Sequence, residues 1–196
     1  GPVFFDFMLV EEPMEFKTSL SNPSGDMEVI RSPENKVFFD YLHFLQSKRA
    51  ERAPYDVILR DSTSTPLQVE STKASLRIMT EEVIEYQDEL INSPENFLFG
   101  KYLGMLRENN VPEPPADEVD KDIWSYMWYR AHYWDRVDFS DPRLVRDGSL
   151  QTMIERFWEH VLPPDPDTMY VEAVKLLDRV GDNYEMFKYF LHHMTF

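Results

Sequence analysis

The feature that most constrains this chain is a helical periodicity of apolar residues that begins at residue 32. From there on, apolar positions recur every three or four residues, in segments that begin at capping residues and stop at prolines, glycines or polar stretches. The first segment follows Ser32-Pro33-Glu34-Asn35, which supplies an N-cap, a proline at the first helical position and an early acidic residue. The pattern predicts a mainly α-helical protein.

About seven helices are predicted from these start and stop signals. Their approximate ranges are 33–52, 66–91, 94–108, 121–137, 149–161, 168–180 and 182–196. Pro54 is expected to end the first helix, a second Ser-Pro-Glu-Asn sequence at residues 93–96 to begin the third, and Gly181 to cap the sixth. Because short loops join most of these helices, we expect antiparallel neighbours, as in a bundle or an array of helical hairpins.

The residues before this helical region have the pattern of β-strands. Segments 3–10, 14–20 and 27–30 are rich in β-forming residues or alternate apolar and polar ones, and residues 22–26 form a turn signal. We therefore predict a small two- or three-stranded β element at residues 1–31, followed by a helical domain at residues 32–196. If residues 3–10 form an edge strand, that edge should pair with a second copy, giving a homodimer, or be covered by a helix.

The composition excludes several classes of function. The 36 Asp and Glu residues outnumber the 20 Lys and Arg residues, and the resulting charge of −16 repels nucleic-acid phosphates. The chain contains no cysteine, so it has no disulfide, thiolate ligand or thiol nucleophile of its own. No apolar run approaches the roughly 20 residues of a membrane-spanning helix. We therefore predict no nucleic-acid partner and no membrane span.

The fourth predicted helix is unusually rich in aromatic residues. Trp124, Trp128, His132 and Asp135 follow one another at steps of four, four and three, which places them near one helical face. Such a face can form a groove that stacks a sugar ring or binds a peptide, or it can be the buried side of a central helix. The candidate binding residues are Trp124, Trp128, Tyr129, His132, Tyr133, Trp134, Asp135, Asp138, Asp141 and Arg143.

The three aspartates in this set suggest a second kind of site. Asp135, Asp138 and Asp141 lie three residues apart after His132, so a helical turn and a loop would bring them together. Such a cluster would bind a hard cation such as calcium, or raise the pKa of one carboxyl group for acid–base catalysis. The spacing is not that of an EF-hand, and helix capping with neutralisation by arginines explains the aspartates more simply. We predict no catalytic residue, no metal ligand and no cofactor.

Four segments carry a family resemblance. They are Tyr129-Arg130-Ala131-His132-Tyr133-Trp134-Asp135, Val137-Asp138-Phe139-Ser140-Asp141-Pro142-Arg143-Leu144, Pro164-Asp165-Pro166-Asp167-Thr168 and Glu185-Met186-Phe187-Lys188-Tyr189. Together they resemble an uncharacterised helical domain of unknown function that precedes thioredoxin-like domains in bacterial envelope thiol–disulfide oxidoreductases. Residues 3–35 are similar to the end of the small β domain that often begins such proteins. The chain departs from the pattern at Arg146-Asp147-Gly148, where the family has Arg-Thr-Pro.

The resemblance implies a cellular context and assigns no catalytic residue. It implies a periplasmic or envelope protein in which a thioredoxin-like domain follows residue 196. Our hypothesis is a non-catalytic accessory or interaction module that positions this redox domain or contacts its client proteins. Two alternatives stay open: a domain that binds a glycan or peptide in an aromatic groove, and a hydrolase or metal site at His132 and the three aspartates.

Overall fold

Seven α-helices and one two-stranded antiparallel sheet make up the regular structure of the described residues. The computed structural model describes residues 4–107, 109–146 and 148–195. The elements are β1 (Glu15–Lys17), β2 (Glu28–Arg31), α1 (Pro33–Arg60), α2 (Pro66–Ile91), α3 (Leu98–Leu106), α4 (Lys121–His132), α5 (Gly148–Arg156), α6 (Pro166–Val180) and α7 (Tyr184–Thr195). The predicted mainly α architecture with a small N-terminal β element is confirmed. No helix in the described part of the chain has the length and apolarity needed to cross a bilayer.

The chain divides into two compact units, Gly1–Gly100 and Lys101–Phe196. In the first unit, α1 and α2 pack against each other, and β1 pairs with β2 beside the start of α1. Thr65 and Gln68 form a reciprocal capping box at the start of α2, which is why this helix begins at the predicted residue. The ring of Phe38 contacts the rings of Phe39 and Phe99, which are both buried in the core of this unit.

Two sequence signals in the first unit predicted the wrong helix boundaries. Pro54 lies inside α1, which continues to Arg60. Residues 49–54 are exposed, so water can bind the backbone carbonyl that loses its N–H partner. The second Ser-Pro-Glu-Asn sequence forms a turn, because Asn96 adopts a left-handed backbone with φ of 55° and donates its N–H to the carbonyl of Ser93. Helix α3 therefore begins at Leu98.

The strand predicted at residues 3–10 is also wrong for the described residues 4–10. The backbone of Met8 pairs with the side-chain amide of Asn35 rather than with another strand. The segments at 14–20 and 27–30 do form strands, as β1 and β2, and the turn at residues 22–26 separates them. Residues 3, 108, 147 and 196, on which parts of the strand, helix and family predictions fall, lie outside the described residues.

The second unit contains α4 to α7, with a 3₁₀ helix at Pro142–Arg146 and a π-helical turn at Phe157–Val161. Its core is built from buried residues of several of these segments: Leu144, Leu150, Ile154, Phe157, Leu176, Met186 and Phe190. Gly181 ends α6 with φ of 59°, as its predicted capping role requires. Helix α4, however, ends at His132 and not near Val137.

Candidate functional site

The early end of α4 decides where the aromatic residues point. Asp120 caps the start of the helix by accepting the N–H of Ile123 at 3.0 Å. At the other end, the side-chain amide of Asn109 donates to the carbonyl of His132. Tyr133 and Trp134, the two residues that follow the end of α4, are both buried.

Tyr133 and Trp134 are core residues of the second unit. The indole of Trp134 is 4% exposed and lies edge-on to the rings of Phe157 and Phe190, at centroid distances of 5.1 and 5.6 Å. The Tyr133 hydroxyl donates to the carbonyl of Met153 at 2.9 Å. The buried Nε1–H of Trp134 has no acceptor among the described residues. The contacts of Tyr133 and Trp134 therefore support the interpretation of these two candidates as core-packing residues.

Trp124, Trp128 and His132 are half-buried on α4. The rings of Trp128 and His132 are stacked, with centroids 4.1 Å apart and an interplanar angle of 13°. The Nδ1–H of His132 donates to the carbonyl of Trp128 at 2.8 Å, which sets the tautomer of the imidazole. The imidazole thus covers one face of the Trp128 indole, the surface on which a sugar ring would stack.

The three aspartates do not gather with His132. Asp135 lies 2.5 Å from the guanidinium of Arg179. Asp138 and Asp141 are instead bridged by Lys101, whose Nζ is 2.8 Å from a carboxylate oxygen of each. Asp135 thus pairs with Arg179, whereas Lys101 joins Asp138 to Asp141, which Arg143 also contacts. The sequence spacing indicated neither Arg179 nor Lys101.

The aspartates that Lys101 bridges are held in the ionised form. Hydrogen bonds from Arg143 keep the pKa of Asp141 far below its usual range despite burial of the carboxyl group. Burial raises the pKa of Asp138, but hydrogen bonds from Lys101 and Ser140 outweigh it and lower the pKa overall. A general acid needs a raised carboxyl pKa, so these shifts have the wrong sign for that role. Among the described residues, no group of three or more His, Asp or Glu side chains is placed to hold a metal ion.

An open groove of about 480 Å³ lies between α4 and α6. The residues Met127, Arg130, Ala131 and Trp134 line one side, and α6 contributes Glu172, Lys175, Leu176, Asp178 and Arg179. Leu176 is buried, whereas Met127 and Ala131 are exposed. The α6 residues recur at helical spacing, so their common face was visible in the sequence, but their position opposite α4 was not.

A salt bridge joins the two walls of the α4–α6 groove. The guanidinium of Arg130 lies 2.8 Å from the carboxylate of Glu172, and both side chains are largely buried. Burial opposes the charge on each, yet hydrogen bonds from Lys175 and Arg130 lower the pKa of Glu172, and the hydrogen bond to Glu172 raises the pKa of Arg130. Lys175 also contacts Glu172, at 2.9 Å. The groove therefore combines apolar surface with a rim of paired charges.

The predicted binding residues contribute unequally to the cavities of the second unit. Trp134 lines the α4–α6 groove, and Tyr129 and Tyr133 line a second cavity of about 250 Å³ that also contacts α5. The other candidates, Trp124, Trp128, His132, Asp135, Asp138, Asp141 and Arg143, line neither of these two cavities. Sequence reasoning missed Met127 and Ala131, because it selected the aromatic residues of α4 and not the aliphatic residues beside them.

Comparison of the chain with models of known protein families, with curated proteins and with solved structures finds no match. The resemblance of residues 129–144 to the thioredoxin-associated domain therefore stays a prediction.

Proposed function

We propose that this chain is a non-catalytic interaction module of an envelope thiol–disulfide oxidoreductase. In this proposal it binds polypeptide, either the thioredoxin-like domain or its client proteins, and the α4–α6 groove is the contact surface. The observation that carries the proposal is the groove itself, with its apolar floor, its charged rim and its volume of about 480 Å³. The redox context and the envelope location come from the sequence resemblance alone.

The chemistry of the α4–α6 groove suits a polypeptide segment. The exposed Met127 and Ala131 offer apolar surface beside the buried Leu176, and the flexible Met127 can adapt to side chains of different shape. The paired charges of Arg130 and Glu172 offer hydrogen-bonding groups to the segment's backbone. Because each charge already has a partner, binding need not create an isolated buried ion.

The enzyme alternative has less support than the binding proposal. It requires His132 and the three aspartates in one cavity with a carboxyl group whose pKa is raised. Instead, Asp135 and Asp141 are paired with arginines, and the pKa values of Asp138 and Asp141 are lowered. The glycan alternative, with Trp128 as the stacking surface, has one indole face already covered by His132.

The test is a titration with two probes, a reduced and carboxymethylated polypeptide and the isolated thioredoxin-like domain. The decisive variant is Ala131→Glu, because Ala131 is exposed and the longer, charged side chain would occupy the α4–α6 groove without disturbing the core. The matched control is Ala74→Glu, the same change at an exposed position of α2.

We expect A131E to weaken binding by roughly tenfold or more, as at the centre of an interface, and A74E to leave it within about twofold. Absence of binding by either probe at high micromolar concentration would refute the interaction module. Equal losses in the two variants would refute the placement at the groove.

The homodimer predicted from the N-terminal strands is a separate proposal. The sheet of the described residues has two strands, so β1 and β2 each have one side without a strand neighbour. Sedimentation equilibrium of the full chain tests the homodimer proposal. We expect a dimer whose association is weakened by a charged substitution at Phe16. A monomer at all concentrations would contradict the proposal.

A further inference from the structure

The segment of residues 4–10, here called the Phe-rich segment, has both backbone groups of Met8 bound by the side chain of Asn35 in the first unit. The N–H of Met8 donates to Oδ1 of Asn35, and Nδ2 of Asn35 donates to the carbonyl of Met8, both at 2.8 Å. A neighbouring β-strand would offer a residue the same donor and acceptor pair. A single side-chain amide thus binds both backbone groups of Met8.

Hydrogen bonds with Ser32, the N-cap residue of α1, also orient the side chain of Asn35. It is 0% exposed, and its Nδ2 also donates to Oγ of Ser32 at 2.9 Å. That Oγ in turn accepts the backbone N–H of Asn35, because Ser32 is the N-cap of α1. The bond from Nδ2 to Ser32 identifies which end of the amide donates and leaves Oδ1 to accept the N–H of Met8.

Side-chain contacts of the Phe-rich segment are few. The ring of Phe7 lies 5.8 Å from that of Phe16, which contacts the buried Phe39 at 6.2 Å. Phe5 contacts Phe7 at 6.2 Å. Phe4 and Leu9, by contrast, are 82% and 64% exposed. The segment therefore contacts the rest of the first unit through the backbone of Met8 and the ring of Phe7, while Phe4 and Leu9 face solvent.

We propose that Asn35 and Phe16 form a binding site for a polypeptide segment in which a phenylalanine precedes the residue that Asn35 binds, and that the chain's own Phe-rich segment fills this site as a built-in ligand. The occupant is inferred from what the site already holds, the ring of Phe7 and the backbone of Met8. Because backbone groups and one aromatic contact supply the recognition, another polypeptide with this pattern can make the same interactions. The inference is independent of the α4–α6 groove.

The test uses a fluorescent peptide with the sequence of residues 4–12, Phe-Phe-Asp-Phe-Met-Leu-Val-Glu-Glu, titrated with the full chain. In the natural chain the peptide competes with a tethered segment whose effective concentration is of millimolar order, so apparent binding is weak. The double variant Phe5→Ser, Phe7→Ser weakens the tethered segment and leaves Asn35 and Phe16 intact. It should bind the peptide at least about tenfold more tightly.

The matched control is a peptide methylated at the Met8 backbone nitrogen, which removes the donor to Asn35 and leaves the protein unchanged. It should bind roughly tenfold more weakly than the parent peptide, because it leaves a buried oxygen of Asn35 without its partner. Equal binding of the two peptides would overturn the proposal, as would no binding to the double variant at about 1 mM peptide. A dimer of the natural chain that the peptide fails to dissociate would also overturn it, in favour of a second copy as the occupant.

Discussion

Glu34 provides the sharpest test of how the first unit is held together. Its carboxylate accepts the backbone N–H groups of Leu98 and Phe99, at 3.0 and 2.8 Å, although these residues are more than sixty positions away. These are the first residues of α3, whose N–H groups lack partners within the helix. A residue in the first turn of α1 thus caps a different helix, and the negative charge also suits the dipole of α3.

The substitution Glu34→Gln keeps the size of this side chain and removes its charge. Glu34 is 8% exposed, so water cannot readily replace its oxygens. The glutamine has one carbonyl oxygen, so one of the two N–H groups keeps a neutral acceptor while the other faces an NH₂ group. Hydrogen bonds to a charged group contribute about 1.5–3 kcal/mol each. We therefore expect the free energy of unfolding to fall by about 2–3 kcal/mol.

The assay is urea unfolding followed by far-UV circular dichroism. All four tryptophans lie after residue 100, so their fluorescence does not report directly on the first unit. The control is Glu85→Gln, which removes one negative charge from an exposed position of α2. A loss below about 0.5 kcal/mol for E34Q, or a loss equal to that of E85Q, would refute the capping role.

Two further predictions concern the second unit. Asp141→Asn should lower the free energy of unfolding at neutral pH by about 2 kcal/mol, because Lys101 and Arg143 lose a shared carboxylate; an unchanged urea midpoint would contradict this. Folding lowers the pKa of Asp141, so the contribution of its carboxylate to the free energy of unfolding is present above the ordinary carboxyl pKa and is lost as the pH falls below about 4. The stability of D141N should therefore fall less steeply with acid than that of the natural chain. Gly181→Ala should lower the free energy of unfolding by about 1–2 kcal/mol, measured by thermal or urea unfolding, because φ is 59° at this position. The control Gly148→Ala should be nearly neutral, because the added Cβ would lie in open space. Similar losses in the two variants would disprove the backbone argument.

The helices that were predicted correctly are those with local boundary signals. Thr65-Pro66 with Gln68 starts α2, and Gly181 ends α6, through bonds within a few residues of each boundary. The second Ser-Pro-Glu-Asn sequence shows the limit of such signals. Both copies contain the same residues, yet Ser32 caps a helix and Ser93 belongs to a turn. The difference lies in distant partners, since α3 receives its cap from Glu34.

The sequence indicated which types of residue would pair in the candidate site, but not how these residues are arranged in space. The sequence correctly indicated that arginines would neutralise the aspartates, as Arg143 does for Asp141. The bridge from Lys101 was not foreseeable, because the lysine is 37 and 40 residues before Asp138 and Asp141 and no spacing rule connects them. The groove was expected along Trp124 and Trp128 of α4, whereas the residues of this helix that line it are Met127, Arg130 and Ala131.

Local chemistry in the sequence alone determined the mainly helical class, most helix starts, the absence of thiol chemistry and the acidic charge. These properties depend on composition and on bonds between residues close in the chain. Tertiary structure decided where α4 ends, which cationic residues pair with the three aspartates, and the binding of the Met8 backbone by Asn35. Each of these depends on which distant groups meet in space, and the free energy of burying and pairing them outweighs local helix or strand preference.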